Sequence, residues 1–299
     1  MTRSFPLAAF ASAFAGAVAL APALDAQSAP RVGTVVIAHG GDSLWNSHVI
    51  EAARAARIDG PLEISFLMGP AAKQARFQDA VAKLERAGVD SIRVVPVLVS
   101  SHSGHYDQLR WLVGEPVTLD ESMHHHLHMA GIDRPQTKVP MRLMKAMDNA
   151  TEIAEVLADR ARVLAKQVGA DPTKRALLIV GHGPNTAEEN AAWMENLRPI
   201  AERVKQMTGF RDVRVDLVRD DAPEPVRAEA VRHVRELIEL QHAMTGGDVL
   251  VVPVLVSKGM VSRDKVPADL RGTPHIYAGE PLLPHPAMVR WIEARAAGR

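Results

Sequence analysis

Thirteen histidines and no cysteine set the chemistry open to this chain of 299 residues. Without thiolate, metal binding must use imidazole, carboxylate or thioether, and thiol nucleophiles are excluded. The histidines that matter fall at punctuated places. His39 follows a branched apolar run, Val35-Val36-Ile37-Ala38, and precedes Gly40. His102 and His105 follow another, in Ser101-His102-Ser103-Gly104-His105. His124, His125, His126 and His128 crowd together between Met123 and Met129. His182 stands between Gly181 and Gly183 after Leu177-Leu178-Ile179-Val180. Imidazole suits cobalt, nickel, iron, zinc and copper, and two or three imidazoles with open positions make a site that exchanges or delivers a metal. A lone histidine at a strand end serves equally well to order a glycine-rich loop, so the test is whether several reach one place.

The elements that would bring them together are written twice. Val94-Val95-Pro96-Val97-Leu98-Val99-Ser100 returns letter for letter as Val251-Val252-Pro253-Val254-Leu255-Val256-Ser257. Each copy has an upstream partner, an apolar run ending in His-Gly. The chain therefore reads as one unit repeated. Aligning the halves on Gly104 and Gly259 sets His105 opposite Met260. Aligning them strictly on the shared seven letters sets His102 opposite Gly259. We favour His105 as the second ligand and keep His102 as an alternative. On either alignment the second half lacks this histidine, so His182 and Met260 form a degenerate counterpart.

Short runs of Val, Ile and Leu alternate with helical stretches in both halves, which predicts parallel sheets covered by helices on both faces. The expected fold is α/β, two similar flavodoxin-like halves. Ligands in such sheets bind at the carboxyl ends of the strands, which would put His39 and His102/His105 on one rim. Asp42 or Ser43 is expected to cap the first helix. Pro96 predicts an edge position or a bulge in its strand. Residues 31–140 form the first half, with a His-rich loop or insertion near 114–140. Residues 141–171 read as a long connecting helix, and 172–299 as the second half. The His/Met tract of that insertion is an accessory metal-collecting segment on composition. Met68, Met141, Met144 and Met147 read as packing residues. Asp220-Asp221 reads as a turn or helix cap before Pro223.

Residues 1–26 have the pattern of a secretory signal peptide: Arg3, an apolar run from Leu7 to Leu20, then small-residue cleavage sites. The expectation is a periplasmic or secreted protein with no membrane span after cleavage. Lys plus Arg balance Asp plus Glu at 35 each, and aromatics make up 4% of the chain, which gives no footprint for nucleic acid. Walker, dinucleotide and Gly-x-Ser-x-Gly fingerprints are absent.

Several motifs together resemble the class II chelatases, the sirohydrochlorin cobalt-, nickel- and ferrochelatases. They are the strand ending in His39-Gly40, a second strand running into Phe66-Leu67, and the Val94-Val95-Pro96 strand followed by Gly104-His105. Gly259-Met260-Val261-Ser262-Arg263-Asp264 and the closing Pro281-Leu282-Leu283-Pro284-His285-Pro286 complete the set. The resemblance spans nearly all of the chain after the leader, as two fused copies. It implies a cleft between two halves, a divalent metal (Co2+, Ni2+, Fe2+ or Zn2+), a tetrapyrrole partner, and His39 and His105 as the catalytic, metal-binding pair. It also implies an acidic residue just after the second strand, where this chain has Met68-Gly69 in one half and Arg219-Asp220 in the other. A non-enzymatic periplasmic metal carrier or tetrapyrrole binder on the same fold is the alternative. Two fused copies supply the pseudo-dimer, which predicts a monomer.

Overall fold

A computed structural model describes Met1, Thr2 and residues 30–299; the expected leader lies outside the described residues apart from its first two positions. The first half runs β1 (Val32–Ala38), α1 (Ser43–Ala55), β2 (Leu62–Phe66), α2 (Gly69–Gln74), α3 (Phe77–Arg86), β3 (Ser91–Val97), α4 (Gly104–Leu112), α5 (Glu121–Ala130), β4 (Met141–Leu143) and α6 (Thr151–Gln167). The second runs β5 (Ala176–Gly181), α7 (Ala187–Thr208), β6 (Asp212–Leu217), α8 (Glu224–Thr245), β7 (Val249–Val254), a π-turn (Val261–Lys265), α9 (Val266–Leu270), β8 (His275–Tyr277) and α10 (Pro286–Ala296).

Each half is a four-stranded parallel sheet, ordered β2-β1-β3-β4 and β6-β5-β7-β8. The two orders are the same, as the sequence repeat requires. In β5, Leu177 and Ile179 join the large core, while Ala176, Leu178 and Val180 join a smaller one under α8 and α9. That alternation is the pleat of a strand buried on both faces.

The large core is shared between the halves, because each half lends its last helix to the other. α6 packs on α7 and β7, and α10 packs on α1 and β3. Arg93 Nη1 donates to the Ala296 carbonyl at 2.6 Å, and the Arg57 amide donates to Glu293 at 2.9 Å. Each sheet is thus covered partly by its own helices and partly by one from the other half.

Two expectations change here. Residues 141–171 are not one helix: Met141–Leu143 is the fourth strand of the first sheet, and the helix starts only at Thr151. Between them Asp148 takes a left-handed conformation (φ 45°) and accepts from the Ser101 amide at 2.6 Å and Ser101 Oγ at 2.8 Å, which ends any helical path from 141. The His-rich segment is also not a loop. It forms α5, with Asp120 accepting from the Met123 amide at 2.8 Å at its start and Gly131 in the left-handed region at its end.

Pro96 lies in β3, an inner strand, yet its placement obeys the rule for edges. Ile92 donates its N–H to Pro140 and Val94 accepts from Met144, so alternate residues of β3 face β4. Pro96 faces the same way but lies past Leu143, where β4 has ended. The Met144 carbonyl that its missing N–H would have used accepts from Tyr106 Oη at 3.3 Å. Pro253 repeats the arrangement, with Val249 and Val251 facing a strand that ends at Tyr277.

Candidate metal centre in the cleft between the halves

β1 and β3 are hydrogen-bonded neighbours, so the residues following them emerge side by side at the carboxyl edge of the sheet. His39 follows β1 directly. Ser103 caps α4 through the Tyr106 amide, which sets His105 in that helix's first turn. The two rings meet edge to face, with centroids 4.6 Å apart at 77°. His126 of α5 also stacks on His105, 6.0 Å away and nearly parallel.

The hydrogen bonds fix which nitrogens are free. His39 Nδ1 lies 2.7 Å from the Gly40 carbonyl, an acceptor, so Nδ1 carries the proton and Nε2 keeps its lone pair. Gln108 sets the tautomer of His105. Its Nε2 donates to the Met123 carbonyl at 2.7 Å, which turns its oxygen toward His105 Nδ1 at 2.9 Å. His105 Nδ1 must therefore donate, and its Nε2 is also free. Burial holds both imidazoles below the ordinary range. His105 falls to about 4, with the His39 ring adding to the desolvation, and His39 falls with burial as the main cause and His182 adding to it. Both rings are thus neutral donors at neutral pH, the form a metal requires.

These depressed values make a stability prediction. Below the unfolded value of 6.5 the unfolded chain binds protons that buried His105 refuses, so stability falls with pH until the folded ring titrates near 4. His39 acts in the same direction. We expect a loss on the order of 1–3 kcal/mol between about pH 6.5 and 4. Urea unfolding at several pH values would measure it, and His105→Gln should flatten the slope. An unchanged slope in that variant would contradict the assignment.

The second half starts from the same motif and shifts its imidazole the opposite way. His182 Nδ1 also lies 2.7 Å from the following glycine carbonyl. Its Nε2, however, lies 3.1 Å from Asp221 Oδ2 and 3.8 Å from Asp220 Oδ2. Burial pulls this imidazole down, but the hydrogen bond and charge of Asp221 outweigh it and the ring titrates above its ordinary value. The bond from His182 in turn holds Asp221 down to about 2. His182, Asp220 and Asp221 come close enough together to hold a cation. Asp220 is already committed, with Lys265 Nζ at 2.6 Å and Arg227 Nε at 3.3 Å, so the free part of the group is the His182–Asp221 pair. His39 feels the charges of His182 and Asp221, which places the pair in the same cleft as the first-half imidazoles.

The two halves also meet through direct polar contacts. Trp193 Nε1 donates to the His102 carbonyl at 2.6 Å, His48 Nδ1 meets Ser257 Oγ at 2.9 Å, and Arg263 pairs with Asp42 at 3.1 Å. His102 therefore serves through its backbone, with an exposed ring that makes none of the contacts joining His39, His105 and His126. Met260 is 57% exposed. Of the His-rich tract only His126 enters the cleft. His124, His125 and His128 face outward with Asp120 and Glu121. Asp221 caps nothing, since α8 begins without a side-chain cap. Its position after β6 is a strand-end rim, the same signal that singled out His39. Gln108 gave no signal of its own beyond lying one helical turn from His105. Met144 and Met147 are buried packing residues, as expected.

Fold and site together define a chelatase-like α/β protein: two similar sheets, a cleft between them, and paired neutral imidazoles at a strand-end rim. The family model described as CbiX matches residues 33–164 and again 176–298, so the chain belongs to the CbiX family, in a two-copy fused form. It is similar in structure to SirB from Bacillus subtilis with Fe3+, with TM-score 0.61 and 16% identity over 89% of this chain and 94% of that one. It is similar also to the sirohydrochlorin chelatase SirB of Bacillus subtilis subspecies spizizenii in complex with cobalt, with TM-score 0.58 and 13% identity over 89% and 94%. A third likeness is to DR2241 from Deinococcus radiodurans, a multi-domain protein, with TM-score 0.54 and 19% identity over 90% of this chain and 55% of that one. At these identities the likeness speaks for the fold. No curated protein matches the chain by sequence.

Proposed function

We propose that this protein inserts a divalent metal into a sirohydrochlorin-type tetrapyrrole. The observation that carries the reading is the pair of half-buried, neutral imidazoles, His39 and His105, whose ring centroids lie 4.6 Å apart at the cleft. Two nitrogen ligands hold a Co2+, Ni2+, Fe2+ or Zn2+ ion and leave its other positions to exchangeable water. The macrocycle nitrogens displace those waters and then the imidazoles. Membership of the CbiX family and the likeness to a sirohydrochlorin chelatase support this choice of substrate.

Insertion also has to dispose of two pyrrole protons. When the metal sits on the unprotonated ring nitrogens, the remaining N–H groups become acidic, and a weak base suffices to take the proton. The carboxylate of Asp221, paired with His182 at 3.1 Å, is the base we assign to this step, with its side chain 61% exposed to pass the proton to water. It stands in for the carboxylate missing after β2, supplied by the opposite half. Asp221→Asn is expected to slow insertion about tenfold while leaving Co2+ affinity unchanged. An unchanged rate would remove Asp221 from the mechanism.

The leader pattern in residues 1–26 supports export, and the exchanged helices α6 and α10 support a monomer. A periplasmic metal carrier or tetrapyrrole binder is the second reading, favoured by the three outward histidines of α5. Acceleration of insertion separates the two.

A further inference from the structure

α5 carries its histidines on two faces. His126 turns inward onto His105, and its Nδ1 is buried without a hydrogen-bond partner. Glu121, His124, His125 and His128 fall at i, i+3, i+4 and i+7, one stripe on the outer face. They line an open depression with Asp120 and Ser122. Among the described residues no hydrogen bond or ion pair engages the side chains of Glu121, His124, His125 or His128, whereas Asp120 is occupied as the cap.

The stripe is held rigid from below. Leu127 and Ala130 are buried under it, and Gln108 grips the Met123 carbonyl in its first turn. His124 rests edge-on against Trp111 at 5.6 Å, and the opposite support of Trp111 is Arg134, 4.5 Å from the ring centroid. A preorganised i, i+4 histidine pair beside a free carboxylate is a donor set of the borderline nitrogen–oxygen kind, which suits Co2+, Ni2+ or Zn2+ over Ca2+ or Mg2+.

We propose that His124 and His128, with Glu121, form a second divalent-metal site on the outer face of α5, distinct from the His39–His105 centre. As a binding site it stands independently; its role as the loading point for the cleft, through His126 on the inner face of the same helix, rests on the function proposed above. The site is open to solvent, so its metal exchanges freely.

Equilibrium dialysis of the full chain against Co2+ tests it, with metal counted per chain. The unaltered protein is expected to hold two ions, His124→Gln/His128→Gln one, His39→Ala/His105→Ala one, and the fourfold variant none. Glu121→Gln should weaken the outer ion about tenfold without changing the inner one. Far-ultraviolet circular dichroism checks that α5 survives, which glutamine favours as a good helix former. The proposal is overturned if the unaltered protein holds one ion that only the cleft variant loses, or if the outer variant keeps two. Should the outer variant lose an ion while the cleft variant loses none, the outer site stands and the cleft assignment fails.

Discussion

His105→Ala is expected to weaken Co2+ binding in the cleft about a hundredfold or more, and His39→Ala to do the same. Losing a group that merely orients a metal ligand costs about 10–100-fold in affinity, so losing one of two ligands sits at or above that range. The two rings contribute equally because each presents only its Nε2, with Nδ1 committed to Gly40 or Gln108. Gln108→Leu gives a graded result. It keeps the volume but releases the tautomer of His105, and about tenfold weaker binding is expected. Titration calorimetry on the three variants, in a background lacking His124 and His128, isolates the cleft. Equal affinity in Gln108→Leu would mean that the amide does not set the free nitrogen.

The second large effect comes from Gly40. Its φ is 97°, and an added Cβ would lie 2.4 Å from the Met68 carbonyl oxygen, a backbone atom that cannot step aside. The His39 carbonyl accepts from the Met68 amide at 2.8 Å, so this is where β1 and β2 close the rim together. Gly40→Ala is expected to cost roughly 2–4 kcal/mol and to move His39 off its partner ring. Gly88→Ala is the control, with φ 73° but open space at the Cβ position; it should cost about 1 kcal/mol and leave metal affinity alone. Denaturant midpoints and metal affinity on the two proteins separate strain from clash. Similar losses in both would show that the Met68 contact does not matter.

What could be read from the sequence was the part written in strong patterns. The repeated Val-Val-Pro strands and the His-Gly strand ends gave the two sheets and their common rim, and with them His39 and His105. The edge position or bulge expected from Pro96 is not found, since β3 is an inner strand; the proline is tolerated there because β4 ends at Leu143, before reaching it. β4 escaped because three residues carry little periodicity, and Met144 and Met147 continue a helical spacing that Asp148 then breaks. Its counterpart in the second half, β8 at His275–Tyr277, carries the branched and aromatic pair Ile276-Tyr277 that Met141–Leu143 lacks. α5 gives little helical signal because a histidine run has no apolar stripe; Leu127 and Ala130 are its two fully buried residues. Asp221 does lie in the turn expected of it, with the Ala222 amide donating to the Arg219 carbonyl, but its pairing with His182 is not legible because sequence alone cannot say which strand end faces which across a cleft. The shared core likewise depends on α6 and α10 crossing to the opposite sheets, a tertiary choice that each helix's own pattern leaves open.

On the function proposed above, the paired imidazoles deliver metal to a macrocycle. Its most direct test is to mix the purified protein with sirohydrochlorin and Co2+ or Ni2+ and follow the absorbance of the macrocycle against the spontaneous reaction. We expect a rate well above the spontaneous one that disappears in both His39→Ala and His105→Ala. Metal and macrocycle both bound, with insertion no faster than without protein, would contradict the account and leave a carrier.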